Sequence, residues 1–313
     1  YSALSYVWGQ DNGAFEARRN NIREISKPYG LFRHLDDLPR VIRDALIFTK
    51  AIGERYIWID RICIVQDYDA EKSRIIPKMN VVYSSAFLTI FSSAWGGTSA
   101  GLSGLRPFSP HRAQKSIQLA GDLEMILPHN LENVLVCPWA SRGWTFQEFF
   151  SARRKVVFVN GQAVYICRNG SRREDLTRSH TTIFQKFFRL GPAEWQPPLW
   201  TLAPTNIQFS YMRYVEVFVR RNLKFDSDIL DAFAGVINCF RVDFGLTCTY
   251  GILDSLFGLD IHWHPEEWVE RREGFPSWSG LAGRARSACL GMVWTRHMDA
   301  RPYVNAIPVE YRG

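Results

Sequence analysis

Residues 2–9 read SALSYVWG, and this stretch opens the fold. Apolar and polar residues alternate along it and strand-forming residues dominate, so we predict a strand over residues 2–8 that stops at a glycine. A glycine there lets a ligand approach the backbone closely, although an ordinary strand-to-loop corner has the same composition and is the simpler interpretation. Four candidate ligand-binding residues lie at this strand end: Ser5, Tyr6, Trp8 and Gly9.

The segments that follow predict that helices and strands alternate. Apolar spacing predicts a helix from Pro39 to Ile52, and the apolar run YIWIDRICIV (56–65) predicts a buried strand. A second helix is expected over residues 66–86, with Pro77 kinking it or shifting its start, and FLTIFSS (87–93) is the next strand. This order is typical of an α/β fold with a parallel sheet, in which ligands bind at the carboxyl ends of the strands.

The second half of the chain predicts an insertion, a strand pair and an accessory region. Residues 94–140 are rich in Gly, Ser and Pro, so we predict a long insertion that serves as a lid. KVVFV and AVYICR predict two strands that turn at Asn160-Gly161. The linker-like stretch GPAEWQPPLW precedes two predicted helices and a turn-rich tail. We therefore divide the chain into a first domain over residues 1–190 and a partly helical α+β region over residues 191–313.

The composition narrows the class of protein. The chain has 313 residues and a net charge of +7, but its basic residues are dispersed, so we do not expect nucleic-acid binding. No apolar run is long enough to span a membrane, and most of the six cysteines lie in apolar settings, without a CxxC pair. We therefore expect buried thiols, a reducing compartment and a cytoplasmic location. His262 and His264 alone do not predict a metal site.

Asp60 and Arg61 interrupt the apolar run at residues 56–65. A buried charge must be paired or it costs several kcal/mol, so one interpretation is a structural ion pair at a strand end. The other is that Asp60 binds ligand hydroxyls, as acidic residues at strand ends do for ribose. The sequence favours neither.

The stretch SRGWTFQEFFSARR (141–154) places Trp144 and Glu148 four residues apart, on one face of a predicted helix. Nearby aromatic rings raise the pKa of a carboxyl group, whereas an arginine such as Arg142 lowers it. A carboxylate in such a pocket stabilises an oxocarbenium-like centre or orients a hydroxyl. The alternative is an amphipathic helix in which Glu148 pairs with Arg153 or Arg154, and composition alone favours it.

Three blocks of the chain together resemble a known family. YSALSYVWG, RYIWIDRICIVQD with the following KMNVVYSSAFLTI, and SRGWTFQEFFSARR resemble, in order and spacing, the fungal heterokaryon incompatibility (HET) domain. The later SDILDAFAGVI and FPSWSG look like regions that follow this domain, so the resemblance covers most of the chain. It implies a function in non-self recognition and programmed cell death after fusion of incompatible fungal cells.

The HET domain is in turn remotely similar to TIR domains, which open with a strand ending in a pair like Ser5-Tyr6. TIR domains that cleave NAD carry a glutamate four residues after a tryptophan, in a W-C-x-x-E pattern. Trp144 and Glu148 have that spacing here, with Thr145 in place of the cysteine. The resemblance thus implies a TIR-like or flavodoxin-like parallel sheet flanked by helices, with a long insertion. It also implies possible NAD glycohydrolase activity.

The resemblance assigns roles to the candidate residues. It implies that Glu148 is the catalytic carboxylate near the ribose and that the nicotinamide stacks on Tyr6, Trp8 and Trp144. Arg61 or Arg142 contacts the diphosphate as a fork. Asp60 holds a ribose hydroxyl or an arginine. NAD is then a substrate, and neither a resident cofactor nor a metal is expected.

Two other functions stay open. The chain is a non-enzymatic signalling module that acts through self-association or a regulatory protein partner, or it is an enzyme on another small molecule that uses the same site. TIR relatives include such scaffolds, and an apolar interaction surface would distinguish the first alternative from catalysis.

Overall fold

The fold is described from a computed structural model. The residues that the structure describes are 1–9, 13–93, 99–105, 115–120, 123–127, 137–159, 161–167, 170–174, 204–257, 263–265, 269–285 and 292–294. Most of the predicted lid, one residue of the predicted Asn160-Gly161 turn, the predicted linker, His262 and Cys289 lie outside these residues.

A mixed sheet of six strands forms the centre of the structure. Its strands are β1 (Ser2–Ser5), β2 (Ile57–Trp58), β3 (Leu88–Ser92), β6 (Lys155–Val159), β7 (Gln162–Cys167) and β8 (Gly170–Arg173). Their spatial order is β2-β1-β3-β6-β7-β8. The first four strands run parallel and the last two antiparallel, so the predicted α/β class is confirmed. The chain crosses from one side of β1 to the other between β2 and β3, which makes the carboxyl end of β1 a topological switch point.

The remaining strands form four two-stranded sheets, β4 with β5, β9 with β10, β11 with β14 and β12 with β13. These strands are β4 (Lys115–Ala120), β5 (Leu123–Leu127), β9 (Cys248–Thr249), β10 (Ile252–Leu253), β11 (Trp263–Pro265), β12 (Val269–Arg271), β13 (Gly283–Ala285) and β14 (Met292–Trp294).

Nine α-helices are described: α1 (Ile22–Ile25), α2 (Arg40–Ala51), α3 (Asp60–Cys63), α4 (Asp69–Ile75), α5 (Met79–Ser85), α6 (Pro138–Ser141), α7 (Gly143–Ser151), α8 (Pro204–Val219) and α9 (Ile229–Phe244). Short 3-10 helices cover Leu31–His34, Ile76–Lys78, Asp226–Asp228, Asp254–Leu256 and Gly280–Ala282.

Helix α2 confirms the helix predicted from apolar spacing before residue 53. Its inner face buries Val41, Ile42 and Ala45, and it ends before Gly53, whose φ of 82° suits glycine. Pro77 divides the next predicted helix, because α4 ends at residue 75, a 3-10 turn carries the proline, and α5 begins at residue 79.

The strand predicted over residues 56–65 is wrong beyond its first part. Only Ile57–Trp58 pair with β1, and the chain then turns into α3. The Asp60 carboxylate accepts a hydrogen bond from the N–H of Arg61 at 2.7 Å, and the N–H of Cys63 donates to the carbonyl oxygen of Ile59 at 2.7 Å. The second of these bonds closes a helical turn, so Asp60 and Arg61 lie in α3 rather than along a strand.

The first strand is also shorter than predicted, since β1 ends at Ser5 and Tyr6 to Trp8 continue without strand pairing. This brings the candidate residues Tyr6 and Trp8 beyond the sheet, on the segment that faces α3.

An aromatic core joins the sheet to the helices of the second half of the chain. Phe146 of α7 packs at ring-centroid distances of 5.4 Å from Phe218 of α8 and 6.1 Å from Phe233 of α9. Phe91 of β3 belongs to the same core. Residues on both sides of the predicted boundary at residue 191 therefore share one core, while the boundary itself lies outside the described residues.

The structure also bears on two predictions from composition, that the thiols are buried and that no segment spans a membrane. All five described cysteines are free; Cys137 is buried, as predicted for the thiols, whereas Cys63 is exposed and the other three are partly exposed. In the described part of the chain, no helix has both the length and the apolar character needed to cross a membrane.

Candidate functional site

The candidate site lies at the carboxyl end of β1. Ser5 ends this strand and is buried, and its Oγ accepts a hydrogen bond of 2.8 Å from Nε1 of Trp139. Trp139 belongs to α6, directly before the helix that carries Glu148. The end of β1 is thereby attached to α6 through a buried side-chain hydrogen bond.

Glu148 points inward, toward this strand end. It lies on α7 with only 6% of its surface exposed, between the core residues Phe146 and Phe149 along the helix. The hydroxyl groups of Ser5 and Tyr83 lie near its carboxyl group and act to lower its pKa. Within the described residues it forms no ion pair with Arg153 or Arg154, which are exposed, so the surface-pair interpretation of the sequence does not hold.

Burial raises the pKa of Glu148 to about 7. The hydrogen bond from Ser5 opposes this rise, the nearby charge of Asp60 adds to it, and Arg142 and Tyr83 oppose it. The charge of this carboxyl group therefore depends on pH near neutrality, and pKa values shifted by burial and by nearby charges are common at functional sites.

Trp8 and Asp60 form a second part of the site. Nε1 of Trp8 donates a hydrogen bond of 2.6 Å to Oδ2 of Asp60. Burial raises the pKa of Asp60, whereas the Trp8 hydrogen bond and the backbone N–H of Arg61 lower it. Asp60 is thus held by these two donors, and the described residues contain no ion pair between Asp60 and Arg61 of the kind that one sequence interpretation predicted.

The side chain of Arg61 is buried against Trp8. Its guanidinium carbon lies 4.6 Å from the centre of the Trp8 ring, and Nη2 donates to the carbonyl oxygen of Trp8 at 3.3 Å. Its Nε is buried without a hydrogen-bond partner in the described part of the chain. One face of the Trp8 ring is consequently covered by Arg61, so a planar ligand has to stack on the other face.

Arg142 and Tyr6 connect the two parts of the site. Nη1 of Arg142 donates a long hydrogen bond, 3.4 Å, to the carbonyl oxygen of Tyr6. The Tyr6 hydroxyl is buried and has no hydrogen-bond partner among the described residues. Burial and the charge of Asp60 raise the pKa of this hydroxyl well above its usual value, so it stays a neutral donor. Unmatched buried groups such as this one call for a ligand or a water molecule.

Trp144 and Gly9 take less central positions. Trp144 is half-buried and packs between the aromatic core and the smaller cluster that contains Ala3, Met79 and Tyr83. Gly9 is exposed and has a φ of 70°, a conformation that favours glycine, directly after Trp8. The structure thus brings Ser5, Tyr6, Trp8, Asp60, Arg61, Arg142 and Glu148 together, while Trp144 contributes its ring to packing.

Sequence reasoning missed two members of the site. Tyr83 of α5 lies in the second predicted helix, where the sequence predicts no site residue, but its hydroxyl lies near Glu148 and donates to the carbonyl oxygen of Leu4 at 3.3 Å. Trp139 was assigned to the predicted insertion, although it is buried at the end of β1. Only the strand order reveals either position, because each residue reaches the site from a distant part of the chain.

Residues in the described part of the chain form no group of three or more His, Cys, Asp or Glu side chains that could hold a metal ion. The residues of the site instead offer donors and aromatic surfaces, and two carboxyl groups with raised pKa values.

Comparison with known proteins identifies the first half of the chain. Residues 1–148 match the family model described as heterokaryon incompatibility protein (HET). A curated protein of Neurospora crassa, heterokaryon incompatibility protein 6, OR allele, is 38% identical over 89 residues. That match covers 28% of this chain but only 13% of the Neurospora protein. No solved structure matches the chain.

Proposed function

Since residues 1–148 match the HET family model, we propose that the chain acts in fungal non-self recognition and cell death by cleaving the nicotinamide–ribose bond of NAD. The observation that carries this proposal is the burial of the Glu148 carboxyl group near the carboxyl end of β1, where the charges of Asp60 and Arg142 influence its pKa. In parallel sheets with a crossover beside the first strand, this is the place where ligands bind.

The leaving group makes a single carboxylate sufficient for the reaction. The nicotinamide ring nitrogen is already cationic, so the ring departs as a neutral molecule with the bonding electron pair and needs no acid. The ribose carbon becomes positively charged as the bond breaks, and an ionised Glu148 stabilises that charge. Water then adds to the same carbon and a proton is released, giving nicotinamide and ADP-ribose.

The remaining residues supply binding groups of suitable chemistry. The guanidinium of Arg142 is half-buried with one long hydrogen bond, so it is the arginine that can pair with phosphate oxygens. The unpartnered Tyr6 hydroxyl offers a donor to a polar group of the ligand. Asp60, held by Trp8, is placed to accept a ribose hydroxyl.

The test measures nicotinamide and ADP-ribose by chromatography after NAD is incubated with the purified chain at high protein concentration. We expect turnover by the wild type and background levels for Glu148→Gln and Glu148→Ala. Glu273→Gln removes an exposed carboxylate elsewhere and serves as the matched control, with wild-type turnover expected. Equal, background turnover by the wild type and both Glu148 variants would end the proposal of catalysis.

An exposed aromatic pair supports a second candidate function, that of a signalling module acting by contact. The side chains of Tyr29 and Phe32 are 79% and 64% exposed, and their rings lie 6.0 Å apart. Exposed aromatic side chains are typical of protein interfaces. Cell death that survives Glu148→Ala but is lost in a Tyr29→Ser and Phe32→Ser double variant would favour this function over NAD cleavage.

A further inference from the structure

Residues 221–223, in the second half of the chain, contact the start of helix α7 and are called the clamp below. The N–H of Gly143 donates to the carbonyl oxygen of Asn222 at 2.8 Å, and the N–H of Asn222 donates to the carbonyl oxygen of Ser141 at 2.6 Å. Arg142 therefore lies between two backbone hydrogen bonds to the same distant residue. This arrangement fixes the direction in which its side chain leaves the backbone.

The side chain of Arg221 strengthens the same contact. Its Nη1 donates to the carbonyl oxygen of Arg142 and to Oγ1 of Thr145, each at 3.3 Å, and its guanidinium lies 4.9 Å from the centre of the Phe146 ring. Burial lowers the pKa of Arg221 to about 9. A buried cation at a helix amino terminus opposes the helix dipole, so the two hydrogen bonds and the contact with the Phe146 ring have to offset that cost.

Close packing at Gly143 completes the clamp. A Cβ atom added there would lie 2.4 Å from Cδ2 and 2.7 Å from Cγ of Leu223. Helix α7 and the segment that follows α8 thus approach each other as closely as a residue without a side chain allows.

Arg142 needs such support because its own side chain is weakly held. In the described residues, its guanidinium has the single 3.4 Å hydrogen bond to Tyr6. Its charge nevertheless influences the carboxyl groups of both Glu148 and Asp60. A small rotation at the start of α7 would move the guanidinium away from both of them.

We propose that Arg221 and Asn222, which lie outside the HET-matched residues 1–148, are positioning residues that hold Arg142 and α7 in place for the site. Their effect on catalysis rests on the proposed NAD cleavage. Their effect on the geometry of the site does not, and the two are measured separately.

The main test uses Gly143→Ala, Leu223→Ala and the double variant in the full chain. Alanine favours a helix more than glycine does, so the contact with Leu223 is the one adverse effect of Gly143→Ala. The first measurement is the titration of the Glu148 carboxyl carbon by NMR, assigned with Glu148→Gln. The second is kcat/KM for NAD.

We expect Gly143→Ala to raise the pKa of Glu148 by about half a unit, because the Arg142 charge moves away. We expect kcat/KM to fall by about tenfold. The double variant restores both values, since Leu223→Ala removes the atoms that the new methyl group meets. Arg221→Lys, with the exposed Arg153→Lys as control, provides an independent perturbation and shifts the titration in the same direction.

An unchanged titration of Glu148 in both Gly143→Ala and Arg221→Lys overturns the positioning role, whatever the activity. A titration that shifts in Gly143→Ala and returns in the double variant, with no NAD cleavage by any protein including the wild type, supports the positioning role and contradicts the proposed catalysis.

Discussion

Two ionisable side chains are buried at helix α7: Glu148 belongs to the helix, and Lys155 follows its carboxyl end. Burial raises the pKa of Glu148 and lowers that of Lys155, in each case to about 7. Their surroundings differ. Glu148 meets hydroxyl groups and the charges of Asp60 and Arg142 at the end of β1. The ammonium group of Lys155 donates to the carbonyl oxygen of Ala152 and lies 4.9 Å from the centre of the Phe149 ring.

This difference shows that a displaced pKa does not by itself mark a functional site. Burial alone produces the shift at Lys155, in a setting with few groups that a ligand could contact. At Glu148 the same shift occurs among other titratable and donor groups at a strand end where ligands bind. Variants of Glu148 and of Lys155 can therefore be compared with each other.

The largest expected effect is on the stability of a Lys155 variant. Burial lowers the pKa of this lysine to about 7, so the penalty for burying its charge is fully present below pH 7 and fades as the pH rises toward the unfolded value. Lys155→Met should raise the free energy of unfolding by several kcal/mol at about pH 6 and by less at about pH 9. Urea denaturation at the two pH values measures this, and a larger gain at the alkaline value would contradict it.

Glu148→Gln should show the opposite pH dependence. Because the pKa of Glu148 is raised to about 7, its ionised form is penalised above pH 7, and the penalty disappears below the unfolded pKa. The variant should gain up to about 3 kcal/mol at about pH 8.5 and almost nothing at about pH 4.5. The same denaturation series tests it, and a gain that is equal at both pH values would show that Glu148 is not buried as an ionisable group.

Much of the site followed from the sequence, because strand ends and motif spacing are local properties. Ser5 ends a strand that Tyr6 and Trp8 follow, and Glu148 occupies a recognisable position relative to Trp144. Other members depended on packing. Asp60 closes its own helical turn inside an apolar run that composition could not distinguish from a strand. Tyr83 and Arg221 reach α7 from distant elements, and only the strand order and helix packing place them there.

The burial of Lys155 also depends on packing that the sequence does not reveal. It begins the strand KVVFV, and a lysine at a strand end is ordinarily exposed. The structure buries it to 5% exposure because α7 ends over it and supplies the Ala152 carbonyl. No local pattern in the sequence predicts this burial.

A variant of Arg142 sharpens the comparison within the site. Arg142→Met removes the charge proposed to contact the diphosphate, so kcat/KM should fall by about tenfold to one hundredfold, mainly through a higher KM. Arg154→Met is the control, because Arg154 is exposed and lies 5.1 Å from the centre of the Phe87 ring. The measurement is kcat/KM and KM for NAD in both variants. Equal losses in the two variants would argue against a specific role for Arg142.

The smallest expected effect concerns Tyr83. Its hydroxyl lowers the pKa of Glu148, so Tyr83→Phe should move the rise of kcat/KM with pH upward by about half a pH unit. The pH profile of the variant beside that of the wild type measures the shift. A downward shift would mean that the hydroxyl does not stabilise the ionised carboxylate.

The most direct test of the account compares nicotinamide release from NAD by the wild type, Glu148→Gln and Lys155→Met, at about pH 8 and about pH 6. The account predicts that the wild type and Lys155→Met release nicotinamide at similar rates and that both slow at the lower pH, because Glu148 becomes protonated as the pH falls through about 7. Glu148→Gln should stay at background at both pH values. Nicotinamide release by Glu148→Gln at the wild-type rate, or its loss in Lys155→Met alone, would contradict the account.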